Sequence, residues 1–177
     1  MQSSSAQDIV HANVVVGGAH DATTQYLRSG RGPSVLLLSG DEQISGALIA
    51  ELPKRYRLIV PDVPPSLAAT ASGFHTWLRG FLDALGINRA SIVTGPCFAA
   101  QVLGFGLVEP ERIERLVFLL GPCGSSSAFN GDPGVIDRLE RSGQAILATP
   151  IDPTDEPALA RALSEISAFL GPTGIVS

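Results

Sequence analysis

Residues 90–123 read ASIVTGPCFAAQVLGFGLVEPERIERLVFLLGPC, and the fold turns on how this stretch is divided. Ala90–Gly95 and Arg115–Gly121 are short apolar runs, each closed by the same Gly-Pro-Cys triplet. Runs of that length and character, bounded by turn residues, are strands buried on both faces. The segment from Phe98 to about Val108 has the length and composition of a helix joining them.

The alternation continues outward. Upstream, VHANVVV (Val10–Val16) and TTQYLRSG (Thr23–Gly30) form a polar-edged pair joined by GGAHDA, expected to be antiparallel. SVLLLSG (Ser34–Gly40) and YRLIVPD (Tyr56–Asp62) are two further buried strands. Helical spacing covers Ile44–Leu52. It recurs at Phe74, Trp77, Leu78, Phe81, Leu82 and Leu85, with Ser72 as the expected N-cap and Gly86 as the stop. Downstream, Gly121–Gly134 is rich in Ser, Gly and Pro and reads as a long surface loop. GVIDRLERSG is then a short helix, QAILATP a last strand, and Leu159, Leu163, Ile166 and Phe169/Leu170 the apolar stripe of a final helix. The class is α/β, a mainly parallel sheet covered by helices on both faces. One domain is expected over residues 8–170, with a disordered tail at 1–7 and a second tail at 171–177.

In an open parallel sheet, ligands bind beyond the carboxyl ends of the strands. Gly40, Asp41, Asp62, Cys97, Cys123 and Asp152 all follow such ends, so they are expected to border one crevice.

Composition narrows the function. A chain of 177 residues with 45% hydrophobic and 16% charged residues can bury one substantial core. A net charge of -5, with no run of Lys or Arg in the sequence, argues against nucleic acid and anionic membranes as partners. The opening MQSSSAQDIV has neither a basic nor an apolar region, and no run reaches the roughly 18 apolar residues of a membrane helix. The expectation is a soluble cytoplasmic protein with free thiols. A disulfide is disfavoured there, and the two cysteines lack the local spacing of a zinc site. No metal or cofactor is expected.

The order of elements, together with SVLLLSG, YRLIVPDVP, FLDALGINRASIVTGPCFAAQVLGFGLVEPERIERLVFLLGP and DPTDEPALARAL, resembles the α/β-hydrolase fold family over most of residues 8–170. It resembles a short, cap-less member lacking the last strand and helix. In that family a strand-to-helix turn of pattern G-x-S-x-G presents the nucleophile, and Gly95, Pro96, Cys97, Phe98 and Ala99 stand at the matching positions. The resemblance therefore implies Cys97 as nucleophile, with the N–H of Phe98 as an oxyanion donor. It also makes the two cysteine-ended strands neighbours, with thiols within about 5 to 10 Å. Asp152 matches the position of the family's acid. The family histidine has no counterpart, because no histidine follows His75, which is nominated instead.

Gly40, Asp41, Phe98, Cys123 and Trp77 are expected to line the substrate crevice, with Pro64 and Pro65 of a loop, and Phe129 of the Ser/Gly loop, nearby. A small apolar crevice suits a hydrophobic small molecule. The leading expectation is an enzyme in which Cys97 attacks an ester, lactone or thioester. Two alternatives stay open: a non-hydrolytic cyclase, isomerase or lyase using Asp41 or Asp152 as acid or base, and a binding subunit without turnover. An exposed last strand would further favour a homodimer through the sheet edge.

Overall fold

The computed structural model describes residues 8–17, 22–120, 134–141, 143–152 and 154–171. Cys123, His20, Phe129 and nearly all of the Ser/Gly/Pro-rich segment lie outside the described residues.

Seven strands form one sheet: β1 (Val10–Val16), β2 (Ala22–Ser29), β3 (Ser34–Leu38), β4 (Arg57–Pro61), β5 (Ala90–Thr94), β6 (Ile113–Leu120) and β7 (Ala145–Pro150). The helices are α1 (Glu42–Glu51), α2 (Pro65–Ala68), α3 (Ala71–Ala84), α4 (Ala99–Val108), α5 (Gly134–Arg141) and α6 (Glu156–Phe169). The strand order is β1-β2-β4-β3-β5-β6-β7. β1 and β2 pair antiparallel, β2 joins β4 antiparallel, and every other pair is parallel. The chain reverses its winding between β3 and β4 on one side and β5 on the other. That reversal is the topological switch point at which open α/β sheets hold their ligands.

The sheet is buried on both faces because its central strands have no polar face to expose. In β3, Leu36 and Leu38 point into one core with Phe74, Leu78, Phe81 and Val102 of α3 and α4. Val35 and Leu37 point into the other, with Ile44 and Leu48 of α1 and Ile166 of α6. This is the two-residue period of a strand with a helical layer on either side. Each fully buried Leu or Phe contributes roughly 1.5–3 kcal/mol of transfer free energy.

Two local expectations need correction. The N-cap of α3 is Thr70, not Ser72: its hydroxyl accepts from the Gly73 N–H at 3.1 Å, so the helix opens two residues earlier than expected. The Pro64-Pro65 segment is not simply loop, since Pro65 begins the short helix α2, where its fixed φ and missing N–H are both tolerated. Among the described residues, no helix is long and apolar enough to cross a membrane.

Candidate active site

The ends of β3 and β5 are tied together. The Gly95 N–H donates to the Leu38 carbonyl at 2.9 Å, and the Thr94 hydroxyl donates to the same carbonyl at 3.2 Å. Gly95 lies so close to the β3 end that a Cβ there would sit 2.5 Å from the Ser39 carbonyl oxygen. Pro96, Cys97 and Phe98 then turn the chain into α4. The Phe98 N–H donates to Gly95 O at 3.3 Å and the Ala99 N–H to Pro96 O at 3.5 Å. Among the described residues, only glycines have positive φ, so Cys97 is carried by a relaxed turn.

The turn leaves Cys97 exposed, at the start of a ten-residue helix. Its thiol rests against Gly40, which follows β3 in the left-handed region at φ +69; a Cβ built on Gly40 would lie 3.3 Å from Cys97 Sγ. The same Cβ would lie 3.8 Å from the Phe98 ring, which stacks on Phe74 with centroids 6.2 Å apart. Gly40, Cys97 and Phe98 are thus brought together at the switch point. Two backbone donors beside this corner are already bonded: the N–H of Phe98 within the turn, and that of Asp41 to Ser39 Oγ at 3.1 Å.

The charged candidates are held elsewhere. Asp41 is the N-cap of α1, its Oδ1 accepting from the N–H groups of Gln43 at 2.9 Å and Ile44 at 3.1 Å. Ser39 completes that corner, its hydroxyl 2.5 Å from the hydroxyl of Ser45. The Asp41 carboxylate therefore faces a helix terminus, where it is electrostatically favoured. His75 lies on the α3–α4 contact. Its Nε2 is 3.2 Å from the Gln101 carbonyl, its ring packs edge-on to Phe105, and a Cβ at Gly104 would lie 3.0 Å from Nε2. A carbonyl only accepts, so Nε2 carries a proton there, and no hydrogen bond links His75 to Cys97 among the described residues.

Asp152 follows β7, on the wall of a groove of about 390 Å³ lined also by Leu120, Ile151, Arg161 and Glu165. Its Oδ1 accepts from the Thr154 hydroxyl at 2.7 Å and the Thr154 N–H at 2.9 Å. These bonds, the hydroxyl first, hold the Asp152 carboxyl below the ordinary aspartate range. The cap of α6 is the next acid, Asp155, which accepts from the Ala158 N–H at 3.4 Å. Trp77 is corrected from crevice wall to core. It is 2% exposed, stacks on Phe81 at 5.3 Å, and its indole N–H donates to Thr24 Oγ1 at 3.0 Å.

Sequence reasoning did not find Gln101 as the partner that holds His75. The available signal was Gly104, a small residue in α4 that admits a ring from the facing helix. Among the described residues, no group of three His, Cys, Asp or Glu side chains could hold a metal ion.

No family model matches the sequence. The chain is 30% identical to a 2-hydroxy-6-oxononadienedioate/2-hydroxy-6-oxononatrienedioate hydrolase of Paraburkholderia phymatum, over 67% of this chain and 46% of that protein. It is 34% identical to a 2-hydroxy-6-oxo-6-phenylhexa-2,4-dienoate hydrolase of Burkholderia cepacia, over 44% of this chain and 30% of that protein. The chain thus spans less than half the length of these curated relatives. Naproxen esterase of Bacillus subtilis superposes with a TM-score of 0.67 at 14% identity, covering 94% of this chain and 93% of that one. Carboxylesterase CesB of Bacillus subtilis gives 0.54 at 24% identity, over 64% of this chain and 44% of that one. The chain has the α/β-hydrolase fold, and its relatives in sequence are hydrolases.

Proposed function

We propose that this chain is a hydrolase in which Cys97 attacks the carbonyl of an ester, lactone or thioester of a hydrophobic small molecule. The observation that carries this reading is the exposed thiol at the end of β5, pressed against Gly40 at the switch point. A serine at this position would depend on a base to take its proton. A thiol is a few per cent ionised at neutral pH and strongly nucleophilic without one, so cysteine here is chemically consistent with a histidine bonded elsewhere.

In the acylation step the Sγ–C bond forms, the bond from the carbonyl carbon to the leaving oxygen or sulfur breaks, and the thiol proton ends on the leaving group. Water then adds to the acyl thioester, releasing the acid and restoring the thiol. Asp152 is the side chain we assign to orienting that water. Both Thr154 bonds fall on Oδ1 and fix the orientation of the carboxylate. β7 lies two strands from β5, roughly 10 Å, so Asp152 acts across the bound substrate rather than on the thiol.

Hydrolysis of p-nitrophenyl esters and aryl thioesters by wild type, Cys97→Ala and Cys97→Ser tests this. Both variants are expected to lose at least about 100-fold in kcat/KM, since the serine has no base; unchanged rates in Cys97→Ala would refute the proposal. A second reading, a binding subunit without turnover, draws on one observation: Asp41, His75 and Asp152 are all engaged away from Cys97. It predicts ligand-dependent thermal stabilisation with no acyl adduct. The acid–base cyclase or isomerase reading is less well supported, because the Asp41 carboxylate is used as a helix cap.

A further inference from the structure

The fold joins two short basic stretches, residues 28–31 and 54–57, into one cluster. At the amino-terminal pole of β3 and β4, opposite Cys97, a groove of about 960 Å³ is lined by Arg28, Arg31, Lys54 and Arg57. One pair spans the end of β2 and the β2–β3 loop, the other runs from after α1 to the start of β4, and the two pairs meet only on folding. Four of the chain's twelve Lys and Arg residues meet here in a protein of net charge -5.

We infer that this groove binds a small polyanion bearing two or more phosphates. Arg57 is held ready for such a ligand, because its Nε and Nη2 both donate to Ser34 Oγ, at 3.2 and 2.8 Å, which fixes the guanidinium and leaves Nη1 available. Arg28 and Arg31 are exposed and have no carboxylate partner among the described residues. Lys54 is paired with Glu51 at 2.8 Å, and Asp8 is the one carboxylate among the described residues of the wall, so the arginines carry the excess charge. Guanidinium forks match phosphate oxygens in bidentate fashion.

Arg28 and Arg57 lie on the same face of the sheet, since Arg28 pairs with Ile59 across the β2–β4 ladder and Arg57 is two residues before Ile59 along β4. No aromatic ring is among the described residues of the wall, so there is no platform for stacking bases, which separates this site from a single-stranded nucleic-acid channel.

The inference is tested by calorimetric titration of the intact chain with inorganic tripolyphosphate at fixed ionic strength. Saturable binding is expected, weakening as salt is raised. Arg28→Ala and Arg31→Ala should each reduce affinity about tenfold or more, given the strength of charge-assisted hydrogen bonds. Arg141→Ala, on α5, should have no effect, and circular dichroism checks that each variant is folded. Absence of saturable binding, or binding that both arginine variants leave within twofold of wild type, would overturn the inference. So would binding to vesicles of equal parts phosphatidylcholine and phosphatidylglycerol without any binding of tripolyphosphate.

Discussion

At the scale of single residues, the candidate site is a matter of which atoms are already spoken for. Gly40 is glycine for two reasons, its left-handed backbone and the thiol pressed against the space a Cβ would fill. Gly40→Ala should therefore slow alkylation of Cys97 by a neutral reagent such as iodoacetamide. An unchanged rate would show that the two groups are not in contact. Asp152 offers a second check. Its carboxyl is held low mainly by the Thr154 hydroxyl, so Thr154→Ala should move its NMR titration midpoint upward, toward the ordinary aspartate value. Because the folded-state pKa is depressed, the stabilising contribution is present above the unfolded-state pKa. It is lost as pH falls through the folded value.

At the scale of elements, helix termini decide what the acids do. Asp41 caps α1, Thr70 caps α3 and Asp155 caps α6, each accepting from N–H groups of a first turn. Asp41→Ala should cost about 1 kcal/mol in urea denaturation, whereas Asp41→Asn, which keeps a capping oxygen, should cost only a few tenths. Under the proposed thiol chemistry Asp41→Asn also retains hydrolytic activity; its loss with unchanged stability would favour the acid–base alternative. The helix α3 ties the core to the site through Phe74, which is fully buried and packs on both Trp77 and Phe98. Phe74→Ala should cost about 3–5 kcal/mol and loosen the Cys97 turn. Differential scanning calorimetry together with thiol alkylation rates reads both effects.

At the scale of the whole molecule, the sheet and its two helical layers were legible because continuous apolar runs alternate with helical spacing, and a strand apolar on both faces needs a helical layer on each. The corner where β3 and β5 end was legible, and Gly40 beside Cys97 follows from it. What the sequence left hidden were contacts made by partners distant along the chain. His75 is locked by Gln101 and Gly104 on a neighbouring helix, Trp77 by Thr24 across the core, and the arginine groove forms where the 28–31 and 54–57 stretches meet. Local pattern cannot report such contacts, since they depend on how α3 meets α4 and how β2 meets β4. The same reasoning explains why Asp41 was misplaced. A carboxylate after a strand reads equally as a crevice acid or as the cap of the next helix, and only the bonded N–H groups distinguish them.

The central claim is that Cys97 is the nucleophile, and intact-mass analysis tests it most directly. Wild type, Cys97→Ala and Cys123→Ala are each exposed to an activated acyl thioester across a range of pH and quenched in acid. The account predicts one acyl adduct on wild type and on Cys123→Ala, forming faster as pH rises because the thiolate is the attacking species, and none on Cys97→Ala. An adduct that persists in Cys97→Ala at the wild-type rate, or none on wild type at any pH, would contradict it.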